Sequence, residues 1–224
     1  MANVRSEEES RELRGKILNA ATTLFMQKGF ERTTLVDIAK LSGVQKAKIL
    51  YEMNSKEEIL GQLVAKFLDF VMEESNVVSS KYTDDAVLMF MASEVLQIYM
   101  AELNEDMRNL YLAAYSMPKT SEIVLRRRTD LIYEKFKDVF PAFALKDFYE
   151  LEIASVGIMR GYMMVPCDMY FTLETKVERL ITTMLRIYEI DSVIIDETKE
   201  FIRKIDFETV SEMVVKRVFE ELGR

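Results

Sequence analysis

The chain is expected to be all-α. Three observations predict this. Only seven glycines and three prolines interrupt 224 residues, and the helix formers Leu, Met, Glu, Lys and Ala are abundant. Apolar residues also recur at helical spacing between successive capping residues. At 49% apolar content there is ample material for a buried core, and the length suits one large domain or two smaller ones.

The start, Ser6 to Ser10 with three consecutive glutamates, reads as a frayed end without a role. The segment from Thr33 to Glu58 is the most informative. Thr34 is a good N-cap, and Asp37 can reach back to its amide as an acidic capping box. Ile38, Ala39 and Leu41 supply an apolar side, Gly43 provides a tight turn after Ser42, and Val44 resumes the core. A second short helix is expected over about Gln45 to Met53. Ile49 and Met53 point to one side of it, and Ala47, Lys48 and Tyr51 point away. Ser55 with Glu58 forms another capping box, and Lys56 sits in that helix's first turn, where a phosphate could dock. Two short helices joined by a glycine turn suit a DNA-reading helix-turn-helix. They equally suit a packed three-helix element that binds nothing, and periodicity does not separate the two.

Successive amphipathic helices follow. The helix from Ser55 to about Ser80 carries Leu60, Leu63, Val64, Phe67 and Val71 on one stripe. Others are expected over Asp84 to Leu103, Glu105 to Ser116, Ser121 to Phe140, Lys146 to Val165 and Leu173 to Glu189. Pro118, Pro141 and Pro166 mark breaks. Two more helices, about Ser192 to Ile205 and Glu208 to Leu222, end the chain.

Charge divides unevenly. Residues 1–56 hold 10 Lys or Arg against 7 Asp or Glu, a net of +3; residues 57–224 hold 20 against 31, a net of −11, together the −8 of the whole. An acidic remainder is repelled by DNA, which favours presenting the N-terminal end alone. Familiar enzyme chemistry has little to work with: there is no glycine-rich phosphate loop, no histidine, and one cysteine, Cys167, which reads as structural. No disulfide, thiolate cluster, signal peptide or long apolar run is evident, so a soluble cytoplasmic protein is expected, with no metal, cofactor or membrane.

From about Arg14 to Leu60 the chain resembles the DNA-binding domain of tetracycline-repressor-type (TetR-family) transcriptional regulators. The pattern is met by Ile17, Ala20, Ala21, Leu24, Phe25, Gly29 and Phe30, then by Thr34, Ile38, Ala39, Gly43, Val44, Ile49, Ser55, Lys56 and Glu57, with no insertion between Gly43 and Lys56. The resemblance covers about a fifth of the chain. Departures are Leu50 and Glu52, where the family usually has tyrosine and then histidine or another polar aromatic, and Met53 in place of phenylalanine. Gln45 and Ala47 also replace the common serine and glycine. Leu50 cannot donate to a phosphate and Glu52 is repelled by one.

The resemblance implies a helix-turn-helix domain over residues 1–56 and a larger helical ligand-binding and dimerisation domain over 57–224. It assigns DNA contact to Thr34, Gln45, Lys46, Ala47, Lys48, Tyr51 and Lys56. For the dimer, the helix holding Ile153, Val156, Gly157, Arg160, Gly161 and Met164 is the candidate, because small residues four apart admit another helix. Intramolecular packing explains those glycines almost as well. Its partner is the next helix, through Leu180, Met184 and Ile187. A ligand pocket is implied among Tyr99, Met107, Tyr111, Tyr115, Tyr133, Phe136 and Met159, with core packing as the plainer account. Glu94 and Glu102 beside Tyr99 suit a cationic, lipophilic ligand. The implied function is a dimeric, ligand-responsive repressor rather than an enzyme. It binds a palindromic double-stranded DNA operator and is released by a small, largely apolar or cationic-lipophilic effector. The alternative, motivated by Leu50 and Glu52, is a helical protein-interaction module of the same fold that has lost operator binding.

Overall fold

The structure, a computed structural model, describes the backbone of residues 2–222 and the side chains of residues 7–217. The described residues form eleven helices joined by short turns. They are α1 (Ala2–Lys28), α2 (Leu35–Ser42), α3 (Lys46–Met53), α4 (Lys56–Ser79), α5 (Ala86–Leu103), α6 (Glu105–Ser116), α7 (Pro118–Phe136), α8 (Leu145–Met164), α9 (Leu173–Ile187), α10 (Ser192–Ile202) and α11 (Phe207–Leu222).

Helices α1, α2 and α3 close around a small core of Ile17, Ala21, Phe25, Ile38, Ile49 and Met53. The capping box forms as expected: the Asp37 amide donates to Thr34 Oγ1, and Asp37 Oδ2 accepts from the Thr34 amide at 2.8 Å. Gly29 and Gly43 both adopt positive φ, of 80° and 69°, which a side chain at either turn would strain. The frayed start expected from the glutamate run is not what is found, because α1 is helical from Ala2. Its second half packs on α2, α3 and α4, and helix propagates outward from that anchored half at little cost.

The remaining helices surround α5, which touches α4, α6, α7, α8, α9, α10 and α11. A helix enclosed by seven others has no solvent face to make polar, so α5 is apolar almost all round. Its 18 residues have a mean hydropathy of 1.4, long and apolar enough to span a membrane by length and composition alone. The expectation of no long apolar run is corrected by this helix, and its enclosure in the bundle accounts for its composition. Helices α4 and α7 run in close contact, and Gly61 lets them do so: a Cβ there would stand 2.7 Å from Ile123 Cδ1.

Pro118 opens α7 at its first turn instead of breaking the chain before Ser121, because the N–H that proline lacks is unsatisfied at a helix start anyway. The same helix ends at Phe136, short of Phe140. There the chain turns so that the Phe140 ring meets Phe136, Phe143 and Phe148. The two C-terminal helices pack on α5, and α11 also reaches α1 and α4, so it bridges the N-terminal head to the rest.

Candidate nucleic-acid interface and the helical interior behind it

Ile49 and Met53 are fully buried, which fixes how α3 lies on the head. Gln45, Lys46, Ala47, Lys48 and Tyr51 consequently face outward, and Tyr51 is 84% exposed. Leu50, at 38%, sits on the flank of the same face. Gln45 is the N-cap by backbone conformation but makes no side-chain cap bond, so its amide is not spent on the helix. The outward face is thus a small residue, two cations and a ring on a short rigid helix, which is suitable chemistry for entering a major groove.

Two residues of this region behave differently from expectation. Glu52 does not project with Lys48 and Tyr51. Its Oε2 accepts from Ser10 Oγ at 2.8 Å and Arg14 Nε at 3.0 Å, tying α3 to α1. Those partners, the Ser10 hydroxyl first and then Arg14, hold its carboxyl below the usual carboxylate range. Lys56 is likewise turned inward. Its Nζ donates to the carbonyls of Phe30 and Thr33, each at 2.9 Å, and lies 4.0 Å from the centre of the Phe30 ring. It pins the start of α4 to the turn between α1 and α2, so a phosphate would have to compete with two carbonyls for it. Thr34 is exposed, with its hydroxyl engaged by Asp37.

On α8, Ile153, Gly157, Arg160, Gly161 and Met164 share one exposed face, with Val156 buried at its edge. Nothing lies within 4 Å of a Cβ added at Gly157 or Gly161, so packing within the chain does not explain these glycines. The partner stripe expected on α9 is corrected: Leu180 and Met184 are fully buried and Ile187 partly so, all directed at the chain's own core. The outward side of α9 carries Arg179, Thr183 and Arg186 instead. Strong amphipathicity marks the inward face of a helix as readily as an interface, and here it marks the former.

The aromatic and thioether residues expected to line a pocket do not make one wall. Tyr99 is half-buried and stacks on Phe207 of α11, with ring centres 5.5 Å apart. Tyr111 stacks on Tyr115, while Phe136 meets Phe90 and Tyr188, and Tyr133 meets Phe148. Met107 and Met159 are fully buried. Nor are the two carboxylates beside Tyr99 available to a cationic ligand. Glu102 is held by Lys176 and Arg108 and accepts from the Cys167 amide, and Lys176 also caps α8 through the carbonyls of Tyr162 and Val165. Glu94 is paired with Arg128 at 3.0 Å. Partial burial pushes the Cys167 thiol up, so it has no tendency to ionise.

Arg128 is the centre of a buried network that the sequence reading missed. Its Nε donates to Glu152 Oε2 at 2.7 Å and its Nη1 to Glu94 Oε1, while Glu152 Oε1 accepts from the Tyr188 hydroxyl at 2.6 Å. Tyr115 donates to Gln97, which in turn donates to Glu94. A signal was present: Arg128 falls on the stripe of Val124, Ile132 and Phe136, and a charge at a core position is worth pausing over.

Residues 17–63 match the family model of bacterial regulatory proteins of the tetR family. The chain is 30% identical over 111 residues to the biofilm operon negative transcriptional regulator IcaR of Staphylococcus epidermidis, covering 48% of this chain and 56% of that protein. It is 36% identical over 90 residues to IcaR of Staphylococcus aureus, covering 38% and 47%. The chain therefore spans about half the length of the curated relatives it matches. The fold matches that of RolR in its resorcinol complex, with a TM-score of 0.64 at 14% identity over 88% of this chain and 95% of that one. The N-terminal helix-turn-helix, over residues 17–63, is thus similar to the bacterial regulatory proteins of the tetR family, and it stands at the head of a larger helical domain that shares the fold of RolR.

Proposed function

We propose that the chain is a dimeric, ligand-responsive transcriptional regulator, acting as a repressor on a palindromic operator and working in the cytoplasm without catalysis. The observation that carries this reading is the outward face of α3, where Lys46, Ala47, Lys48 and Tyr51 stand exposed while Ile49 and Met53 hold the helix from below. Relatives that are negative transcriptional regulators agree with it. The exposed α8 face with Gly157 and Gly161 supports dimerisation there, and a two-fold dimer would set its α3 helices in successive major grooves about 34 Å apart, or at multiples.

The boundary is put at residue 56/57, in the first turn of α4. This helix is tied to the head by Lys56, and Thr120 Oγ1 of α7 donates to the Glu57 carbonyl at 3.0 Å. A small, largely apolar effector that changes how α5 and α7 pack would therefore re-aim the head through α4. It would shift the population off DNA only by its differential affinity for the two states. Glu52 motivated the competing protein-interaction reading, and its attachment to Arg14 removes that carboxylate from the face. Leu50 remains as a flank residue able to meet a thymine methyl.

Selection of binding sites from random duplex DNA, followed by affinity measurement across a salt series, tests the proposal. A palindrome bound by a dimer, with log affinity falling linearly with log salt and weakened by Lys48→Ala, is expected. No enrichment at low salt with an intact dimer would refute it.

A further inference from the structure

We propose that the tight turn between α8 and α9 is a docking knob, and that Met169 and Tyr170 on it seat in the groove between α7 and α8 of a second copy of this chain. This rests on the dimeric reading above and gives the place expected of α9 to the turn.

Met169 and Tyr170 are 81% and 87% exposed, and with Tyr51 they are the most exposed large apolar side chains among the described residues. They do not hang on a loose loop. Asp168 Oδ1 accepts from the amides of Tyr170 and Phe171, each at 2.8 Å, and the Asp168 amide donates to the Phe171 carbonyl at 3.1 Å. The Phe171 ring stacks on Tyr162 of α8, with centres 6.3 Å apart, and Lys176 Nζ stands 5.5 Å from the centre of that ring. A turn closed in this way holds its two apolar side chains in place before any partner arrives, so little ordering entropy opposes docking. Met164 and Val165, each 54% exposed, continue the apolar surface onto the end of α8. Such a patch marks an interaction site.

The groove lies at the other end of α8. Arg126, Thr129 and Asp130 of α7 with Leu145, Lys146 and Tyr149 of α8 line a volume of about 510 Å³. The 20 residues of α8 set it about 30 Å from the turn, so a chain's own knob cannot fill its own groove. A second copy can. Leu145, Tyr149, Ile153, Gly157 and Gly161 follow at four-residue steps along α8, and nothing lies within 4 Å of a Cβ added at either glycine. A two-fold axis crossing α8 at that notch sets two such helices antiparallel, the C-terminal end of each against the N-terminal end of the other. Each turn then meets the other copy's groove, and one contact is made twice. Charge is complementary: Asp168 is the one ionisable side chain of the turn besides Cys167 and Tyr170, whereas Arg126 and Lys146 outnumber Asp130 in the groove. Arg126 is held by Glu122, and Lys146, with no ion partner among the described residues, is the cation left to meet the Asp168 carboxylate or the Tyr170 ring. Leu145 and Tyr149 offer Met169 an apolar floor, and Asp130 can accept from the Tyr170 hydroxyl. The outward side of α9, with Arg179, Thr183 and Arg186, offers no such match.

Self-association of the full-length protein is measured by sedimentation for Tyr170→Ser in the knob and Leu145→Glu in the groove. Both side chains stand exposed, so the unfolding midpoint should hold. Each substitution should weaken the dimer roughly a hundred-fold, about ten-fold for each of the two symmetry-related contacts. Mixing the two variants gives a heterodimer that keeps one intact knob and groove, so it should form about ten-fold more tightly than either homodimer. A benzophenone side chain placed at position 170 should cross-link to residues 126–149 of the other copy. A dimer indifferent to Tyr170→Ser, no preference for the heterodimer, or cross-links to α9 or to the other copy's own turn overturn the knob. Operator binding by such an indifferent dimer leaves the dimeric regulator standing, whereas a wild-type chain that stays monomeric at micromolar concentration sinks both.

Discussion

Replacing Glu52 with alanine separates two roles for the one acid of α3. If the carboxylate faced DNA, its removal would tighten operator binding at low salt. In the structure it instead accepts from Ser10 and Arg14, so its loss should loosen α3 from α1. The Arg14 side chain is half exposed, which limits that pair to about 0.2–1 kcal/mol. The hydroxyl bond from Ser10 adds about 1 kcal/mol, giving about 1–2 kcal/mol in all. Urea unfolding at fixed protomer concentration reads this as a lowered midpoint with an unchanged slope. The effect should also depend on pH in a stated sense. The folded-state pKa of Glu52 is lowered, so its contribution is present above the ordinary carboxylate range and is lost as pH falls through the folded value. The difference between wild type and Glu52→Ala should thus hold at pH 7 and shrink below about pH 4. Unchanged stability together with several-fold tighter operator binding would falsify the structural role.

Three further outcomes are expected. Lys48→Ala and Tyr51→Ala should leave the unfolding midpoint within about 0.5 kcal/mol of wild type, since both side chains are exposed, yet weaken operator binding. For Lys48→Ala, the slope of log affinity against log salt should fall by about 0.9 if it meets one phosphate. Lys56→Met should cost about 1–3 kcal/mol in denaturant unfolding through two carbonyl bonds and the Phe30 contact, and equal stability would show that Lys56 is free to bind elsewhere. Gly61→Ala should destabilise the protomer by about 1–3 kcal/mol because Ile123 is in the way, whereas a Cβ at exposed Gly161 meets nothing within 4 Å, so Gly161→Leu should weaken chiefly the dimer. Sedimentation beside unfolding distinguishes the two, and a Gly161→Leu dimer of normal affinity would remove α8 from the interface.

Local chemistry was legible from the chain alone, because it depends on residues within one or two turns of each other. The Thr34 and Asp37 box, the Gly43 turn, the inward Ile49 and Met53, and the starts and stops of most helices all follow from capping and 3.6-residue periodicity. What a charged or apolar side chain meets across the fold did not follow. Glu52 reads as a surface acid until Arg14, 38 residues away, is beside it, and Lys56 reads as a phosphate ligand until the Phe30 carbonyl is in reach. The apolar stripe of α9 has one appearance in sequence whether it faces its own core or a second copy, and only the packing against α5 and α8 decides. Arg128 stood at a core position in plain view, but its meaning required Glu94 and Glu152 from two other helices. Short-range periodicity determines which face of each helix is apolar; which partner covers that face, and which charges it brings together, is set by long-range packing that no single segment encodes.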